Sequence, residues 1–395
     1  MPFAAALSTA PATIRAADEV CQQVDGRTGN ADLAAVFFSP HHADAAAAIA
    51  KTLHDRLKPK ALIGCIAEAV VGTGKEIENR PALSIWVADW AGRVTVEPFH
   101  LTPRSTPDGM SLLGWPDALV EGDPAAGAML LLGNPYKFPA QELFLPQVNS
   151  DYAGLRVHGG MASGMADPDQ TPLLIGDDVV DIGAVGALLR GPVPMRSVVS
   201  QGCRPVGGPL VVTKAQDNVI LELGGQTPLT QLRALYQELP ARDQELFQRG
   251  PHIGLVINEY QESFGRGDFL VRNLYAIDRA SGALVITDRA RVGQTVQFHV
   301  RDADTADEDL RLLLRQDRAA HSAPPAGALL FTCNGRGTRL FGAPDHDATA
   351  LTDELGPVPT AGFFAMGELG PVGGRNFIHG FTASALIFED IAGSP

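Results

Sequence analysis

LIGCIAEAVVG (62–72) and TAGFFAMGELG (360–370) are the two stretches on which the fold reading turns. Each is an apolar run interrupted by one glycine, and each is followed by a loop that carries a glutamate, Glu68 or Glu368. A continuous apolar run bounded by turn signals reads as a strand buried on both faces. Working outward from the first stretch, Leu33 to Phe38 reads as a preceding strand and Asp44 to Leu57 as an alanine-rich helix, with Ala82 to Val87 as a following strand. Around the second, Ala328 to Thr332 reads as a strand, Ala348 to Leu355 as a helix and Thr382 to Phe388 as a strand, in the same order. A middle segment repeats the plan, with strands at Met129 to Leu132, Leu155 to Gly159 and Gly183 to Leu189 and a helix at Phe144 to Tyr152. Internal duplication of a β-α-β-β unit explains the likeness.

Between the second and last copies, Asn218 to Leu223, Ile253 to Asn258, Phe269 to Ile277 and Gln294 to Val300 read as further strands. Pro228 opens a helix on which Leu229, Leu232, Leu235, Tyr236 and Leu239 recur at helical spacing. A charged helix follows over Ala303 to Ala320, acidic at its start and carrying arginine later, as the helix dipole favours. The glycine- and proline-rich stretch Gly191 to Pro194 marks a boundary, giving domains at 1–190 and 191–395. The expected fold is α/β to α+β. It has two lobes of mixed β-sheet covered by helices, related by the internal duplication, with a cleft between them.

Composition narrows the function classes. A net charge of −14 and the absence of a basic cluster argue against nucleic acid as a partner. No segment approaches eighteen unbroken apolar residues, and the N-terminus lacks the pattern of a signal peptide, so a cytoplasmic location and no membrane are expected. Cys21, Cys65, Cys203 and Cys333 stand far apart without CxxC spacing, which fits reduced thiols.

SQGCRPVGGPLVVTKAQDNVILEL (200–223), FTCNGRGTRLFG (331–342) and GFFAMGELGPVGGRNFIHGFTASALIF (362–388) resemble the FIST family, named for F-box and intracellular signal transduction proteins. GCIAEAVVG in the first half resembles its N domain less sharply, and the likeness runs from about residue 30 to 390. The resemblance implies a bacterial stand-alone member with FIST N-like and FIST C-like domains. It further implies a sensory protein that binds a small, amino-acid-like ligand and signals through a separate protein partner. Some bacterial members are linked to haem, so haem is the cofactor the resemblance raises. The family's more polar Gly-Cys-Ser/Thr-Thr loop is replaced here by Gly64-Cys65-Ile66-Ala67.

Candidate site residues fall in glycine loops. Cys203 precedes Arg204, and a guanidinium beside a thiol favours the reactive thiolate. Cys333-Asn334-Gly335-Arg336-Gly337 follows an apolar strand, where α/β proteins place ligands. There Arg336 would grip a carboxylate in bidentate fashion, and Glu368 after Gly367 would receive an ammonium group. Asn376 and His379 border the same mouth. No HExxH or comparable metal spacing exists, and His158, at a strand end before Gly159-Gly160, is the histidine to consider for a haem iron. Three readings stay open: a small-ligand sensor, an enzyme using Cys203 or Cys333, and a protein-interaction scaffold.

Overall fold

The computed structural model describes residues 2–390 apart from 28, 30 and 108. The chain divides into two compact units, one of residues 1–199 and 310–395 and one of residues 200–309. The boundary expected at Gly191 to Pro194 lies a few residues before the smaller unit begins. The return of the chain to the larger unit at Leu310 has no counterpart in the sequence reading.

Within the larger unit the internal duplication is a triplication. The first repeat runs strand Phe3–Ser8, helix Thr13–Val24, strand Leu33–Phe38, helix Ala46–Leu57, strand Ala61–Ile66, hairpin Ala69–Gly72 with Lys75–Glu78, and strand Leu83–Ala88. In the second, Thr95–Thr106, Asp117–Glu121, Gly127–Gly133, Leu145–Asp151, Arg156–Met161, the hairpin Leu173–Ile175 with Asp178–Val180, and Ala184–Arg190 follow in the same order. The third opens with Met195–Gln201 and resumes after the smaller unit with helix Ala303–Ala320 and strand Pro325–Cys333. Helix His346–Leu355, strand Thr360–Ala365, the hairpin Glu368–Val372 with Arg375–His379, and strand Thr382–Glu389 complete it.

Each repeat contributes a parallel pair to the centre of its own sheet: Leu33 beside Ala61, Ala128 beside Arg156, and Ala328 beside Thr360. The hairpins, however, are exchanged. The first repeat's hairpin pairs with strand 360–365 of the third, the second's with strand 61–66 of the first, and the third's with strand 156–161 of the second. The exchange closes a ring, and each of the three resulting mixed sheets has six or seven strands.

Sequence explains why these strands sit in the middle. LAAVFF, ALIGCI and TAGFFA are buried at every position, as strands covered on both faces must be. The glycine noticed inside each run recurs at one structural position: Gly64, Gly159 and Gly362 lie directly opposite Val36, Leu131 and Leu330. An added Cβ there would stand 2.7, 2.0 and 1.8 Å from the opposite residue's carbonyl oxygen. Only glycine lets the two backbones lie so close.

The smaller unit is a closed barrel of six strands in the order Cys203–Gln216, Val219–Leu223, Leu284–Ile286, Phe269–Ile277, His252–Val256 and Thr295–Arg301. Its core includes Val212, Ile220, Leu223, Ile253, Leu284 and Phe298. Two helices, Pro228–Glu238 and Ala241–Gln248, interrupt the strands, the first capped by the Thr227 side chain.

Candidate functional site

The C-terminal ends of the three parallel pairs meet at one place in the larger unit, and the loops that leave them interlock. Ser163 N–H donates to the Ile66 carbonyl (3.3 Å) and Met366 N–H to the Met161 carbonyl (3.0 Å). Threefold repetition would send Glu68 N–H to the Phe364 carbonyl. Instead that N–H donates to Ser163 Oγ (2.9 Å), whose hydroxyl donates to the Phe364 carbonyl. Glu68, Ser163 and Met366 are thus equivalent residues around a pseudo-threefold axis. Arg339 reaches in to pair with Glu68 and donates to the Asn334 carbonyl at 2.9 Å.

A cavity of about 400 Å³ opens on this end, between the loop after strand 33–38 and the loop after strand 156–161. Ala43, Asp44, Ala46 and Ala47 form one wall, where helix 46–57 begins without a side-chain cap. Met165, Asp169 and Asp181 stand opposite, with Pro172, Val179 and Val180 as an apolar floor. Lys137 bridges Asp169 and Asp181. Asp44 adds a carboxylate to the helix-start wall, where the Ala46 N–H already donates to the Ala43 carbonyl, and the Lys137 ammonium already faces the opposite pair of carboxylates.

The residues singled out from the sequence separate into several places. Cys333, Asn334, Gly335 and Gly367 lie in the strand-end loops: Asn334 N–H donates to the Ala365 carbonyl at 2.9 Å, and Cys333 Sγ lies 3.8 Å from Asn334 Oδ1. Arg336, in the same loop, turns inward and is fully buried. It holds Asp347 through Nε at 2.7 Å and Nη2 at 2.8 Å, so its bidentate grip is on a residue of its own chain. Asp347 is thereby held far below the ordinary carboxylate range, because Arg336 and His346 outweigh the cost of burial.

Glu368 is also fully buried, in a strand paired with Gly160 of the second repeat. Oε2 accepts from Thr382 N–H at 3.2 Å, while Oε1 has no hydrogen-bond partner. Desolvation pushes this carboxyl well above the ordinary carboxylate range. Asn376 locks the third hairpin onto the second repeat, accepting from Val157 N–H at 2.8 Å and donating to the Leu155 carbonyl at 2.7 Å. Asn149 completes that lock. His379 Nε2 lies 2.9 Å from the Gly370 carbonyl.

Cys203 and Arg204 belong to the barrel unit. The guanidinium of Arg204 is taken up by Asp243 and by Asp302, at 3.0 Å to the latter. His158 stands mid-strand opposite Leu130, fully buried, with neither ring nitrogen hydrogen-bonded. Burial and the nearby Arg156 charge hold its pKa down to about 3. A haem macrocycle does not fit there, since His158 is buried in the middle of a sheet and reaching it would require parting the strands. Among the described residues no group of three or more His, Cys, Asp or Glu is placed to hold a metal.

Sequence reasoning missed Asp347. The available signal was an aspartate in the first turn of the helix that follows the Asn334–Gly337 loop. Replacing Arg336 by methionine should leave Asp347 buried with only His346 and the Thr332 hydroxyl as partners, at a cost of about 3 kcal/mol in urea unfolding. Adding Asp347→Leu to that variant should recover much of the loss.

Comparison with known proteins settles the family. The FIST N domain model matches residues 32–226 and the FIST C domain model residues 232–371. This chain belongs to the FIST family. The two FIST models divide the chain inside the barrel, between strand Val219–Leu223 and helix Pro228–Glu238, so the sequence families do not follow the spatial units. An uncharacterized protein of Mycobacterium tuberculosis is 43% identical over 394 residues, covering 99% of this chain and 100% of the relative. An uncharacterized protein of Mycobacterium bovis is 41% identical over 394 residues, with 99% of each covered. FIST domains are sensory domains of signal transduction. No described helix of this FIST protein is long and apolar enough to cross a membrane.

Proposed function

We propose that this protein is a small-ligand sensor whose ligand sits in the 400 Å³ cavity at the strand ends and whose output passes through a separate protein partner. One observation carries the reading: the cavity is lined from two repeats and sets Asp44, which makes no ion pair among the described residues, across from Asp169 and Asp181, which hold Lys137. A zwitterion of amino-acid size has an ammonium for Asp44 and a carboxylate for the Lys137 ammonium on the opposite side. The apolar floor leaves room for a short side chain. A ligand bound there would bridge the first repeat's helix and the second repeat's loop, tightening their junction. That is a change a partner can read in the cytoplasm. Arg336 and Glu368 do not form the clamp, because Asp347 occupies the former and the latter is fully buried.

A thermal-shift screen of amino acids and small amines on the full chain tests this, with Ala47→Phe as the control that fills an exposed wall of the cavity. A stabilising compound in the wild type with no effect on the variant is the expected result. A compound that stabilises both equally, or none that stabilises the wild type, counts against the cavity.

A further inference from the structure

We infer that the barrel unit carries a second binding site, one for a small organic anion with an apolar body, such as an alkyl or aryl carboxylate. Helix Pro228–Glu238 and helix Ala241–Gln248 border a cavity of about 380 Å³. Leu229, Leu232 and Tyr236 face it from the first helix, at spacings of three and four, and Phe247 from the second. Ile277 closes the far side from the end of a barrel strand and is 39% exposed; Tyr275, two residues back on the same strand, is 79% exposed. A concave lining of buried and half-buried apolar side chains, with Ile277 open to water at its rim, is the form a small-molecule site takes.

Charge says what kind of molecule. Arg233 sits one turn from Leu229 and just under one from Tyr236, at the edge of the cavity. It makes no hydrogen bond or ion pair among the described residues. Arg204 is taken up by Asp243 and Asp302, Arg242 by Asp302 and Asp304 and Arg272 by Asp288; of the arginines in this unit without an acidic partner, Arg233 is the one that lines the cavity. In a chain with a net charge of −14, a free guanidinium beside an apolar cavity selects an anion, and its fork suits a carboxylate. The volume accommodates a body of medium-chain length. This site shares no residue with the strand-end cavity and does not rest on the sensor reading.

Fluorescence titration of the full chain with 1-anilinonaphthalene-8-sulfonate, with decanoate and decanol as competitors, tests the inference. Expected are saturable one-to-one binding, displacement by decanoate far better than by decanol, and about tenfold weaker binding in Arg233→Ala, the size of one charge-assisted hydrogen bond. Ile277→Asp should abolish binding. Both positions are exposed, so circular dichroism and melting should match the wild type. Absence of saturable binding overturns the site, as does binding that both variants leave unchanged. Equal competition by decanol, or loss in Ile277→Asp without weakening in Arg233→Ala, overturns the choice of an anion.

Discussion

Gly362→Ala should fail to fold, or lose more than about 4 kcal/mol of stability, although it adds a single methyl group. The new Cβ would lie 1.8 Å from the Leu330 carbonyl oxygen and 2.7 Å from its carbon, and both are backbone atoms of the neighbouring strand. No rotamer relieves such a contact. The strands must part, and they are the parallel pair on which the third repeat and the first repeat's hairpin are built. Gly159→Ala should behave alike, with 2.0 Å to the Leu131 carbonyl oxygen and a φ of 132°. At Gly64 the distance is 2.7 Å, and the loss should be smaller. Gly373→Ala is the control: nothing stands within 4 Å of its Cβ, and its φ of 58° costs about 1–2 kcal/mol. Soluble yield and urea midpoints measure the series. Near-wild-type stability of Gly362→Ala would mean that the strand pair is misplaced.

Glu76→Gln should remove much of the protein's loss of stability at alkaline pH. Glu76 lies on the first repeat's hairpin, where its Oε1 accepts from Ala348 N–H at 3.0 Å in the third repeat, and its Oε2 is buried without a partner. Burial first, and then the Asp347 charge, push the carboxyl up to about 8, against a counteracting pull from Arg336. Since the folded state holds this proton more tightly than the unfolded one, the stability it contributes is fully present below about pH 4.5. That stability is lost as pH rises through 8. The loss at pH 9 is on the order of 4 kcal/mol. Glutamine keeps the neutral shape, so the variant should lack this slope and exceed the wild type at pH 9. Glu368, raised in the same direction, leaves a residual slope that the double variant with Glu368→Gln should flatten. Asp347 acts with the opposite sign, and its contribution is lost only in acid. Urea unfolding between pH 5 and 9 decides. Parallel curves for wild type and Glu76→Gln would show that the carboxyl is ionised in the fold.

Much of the architecture was legible because it rests on local patterns. Runs such as LAAVFF and TAGFFA specify strands buried on both faces, and the glycine within the later strand of each pair marks an equivalent position. What escaped the sequence depends on partners far away. Nothing in AVVG (69–72) says that it pairs with strand 360–365 rather than with its own neighbour, since a short apolar strand suits either edge. Four of the barrel's six strands were read, but not Cys203–Gln216 or Leu284–Ile286, nor the closure into a separate unit inside the third repeat, because periodicity carries no register. The site was harder still. Arg336 beside two glycines has the composition of an anion grip, and only three dimensions reveal Asp347 already within it. Aspartates 44, 169 and 181 carried no motif and converge only through the hairpin exchange.

The ring of exchanged hairpins sets a timetable for biogenesis. Thr360 N–H donates to Thr73 Oγ1 across 287 residues of sequence, so the first repeat's hairpin leaves the ribosome long before the strand that receives it. Until the third repeat is made, the first repeat's hairpin has no strand to join and the second repeat's sheet presents an unclaimed apolar edge, the state in which chains associate wrongly. Assembly therefore has the character of a clasp fastened last, slow by topology and all-or-none once made. Removing strand Thr382–Glu389 would open the third sheet alone, while removing the hairpin before it as well would leave the middle repeat's sheet incomplete.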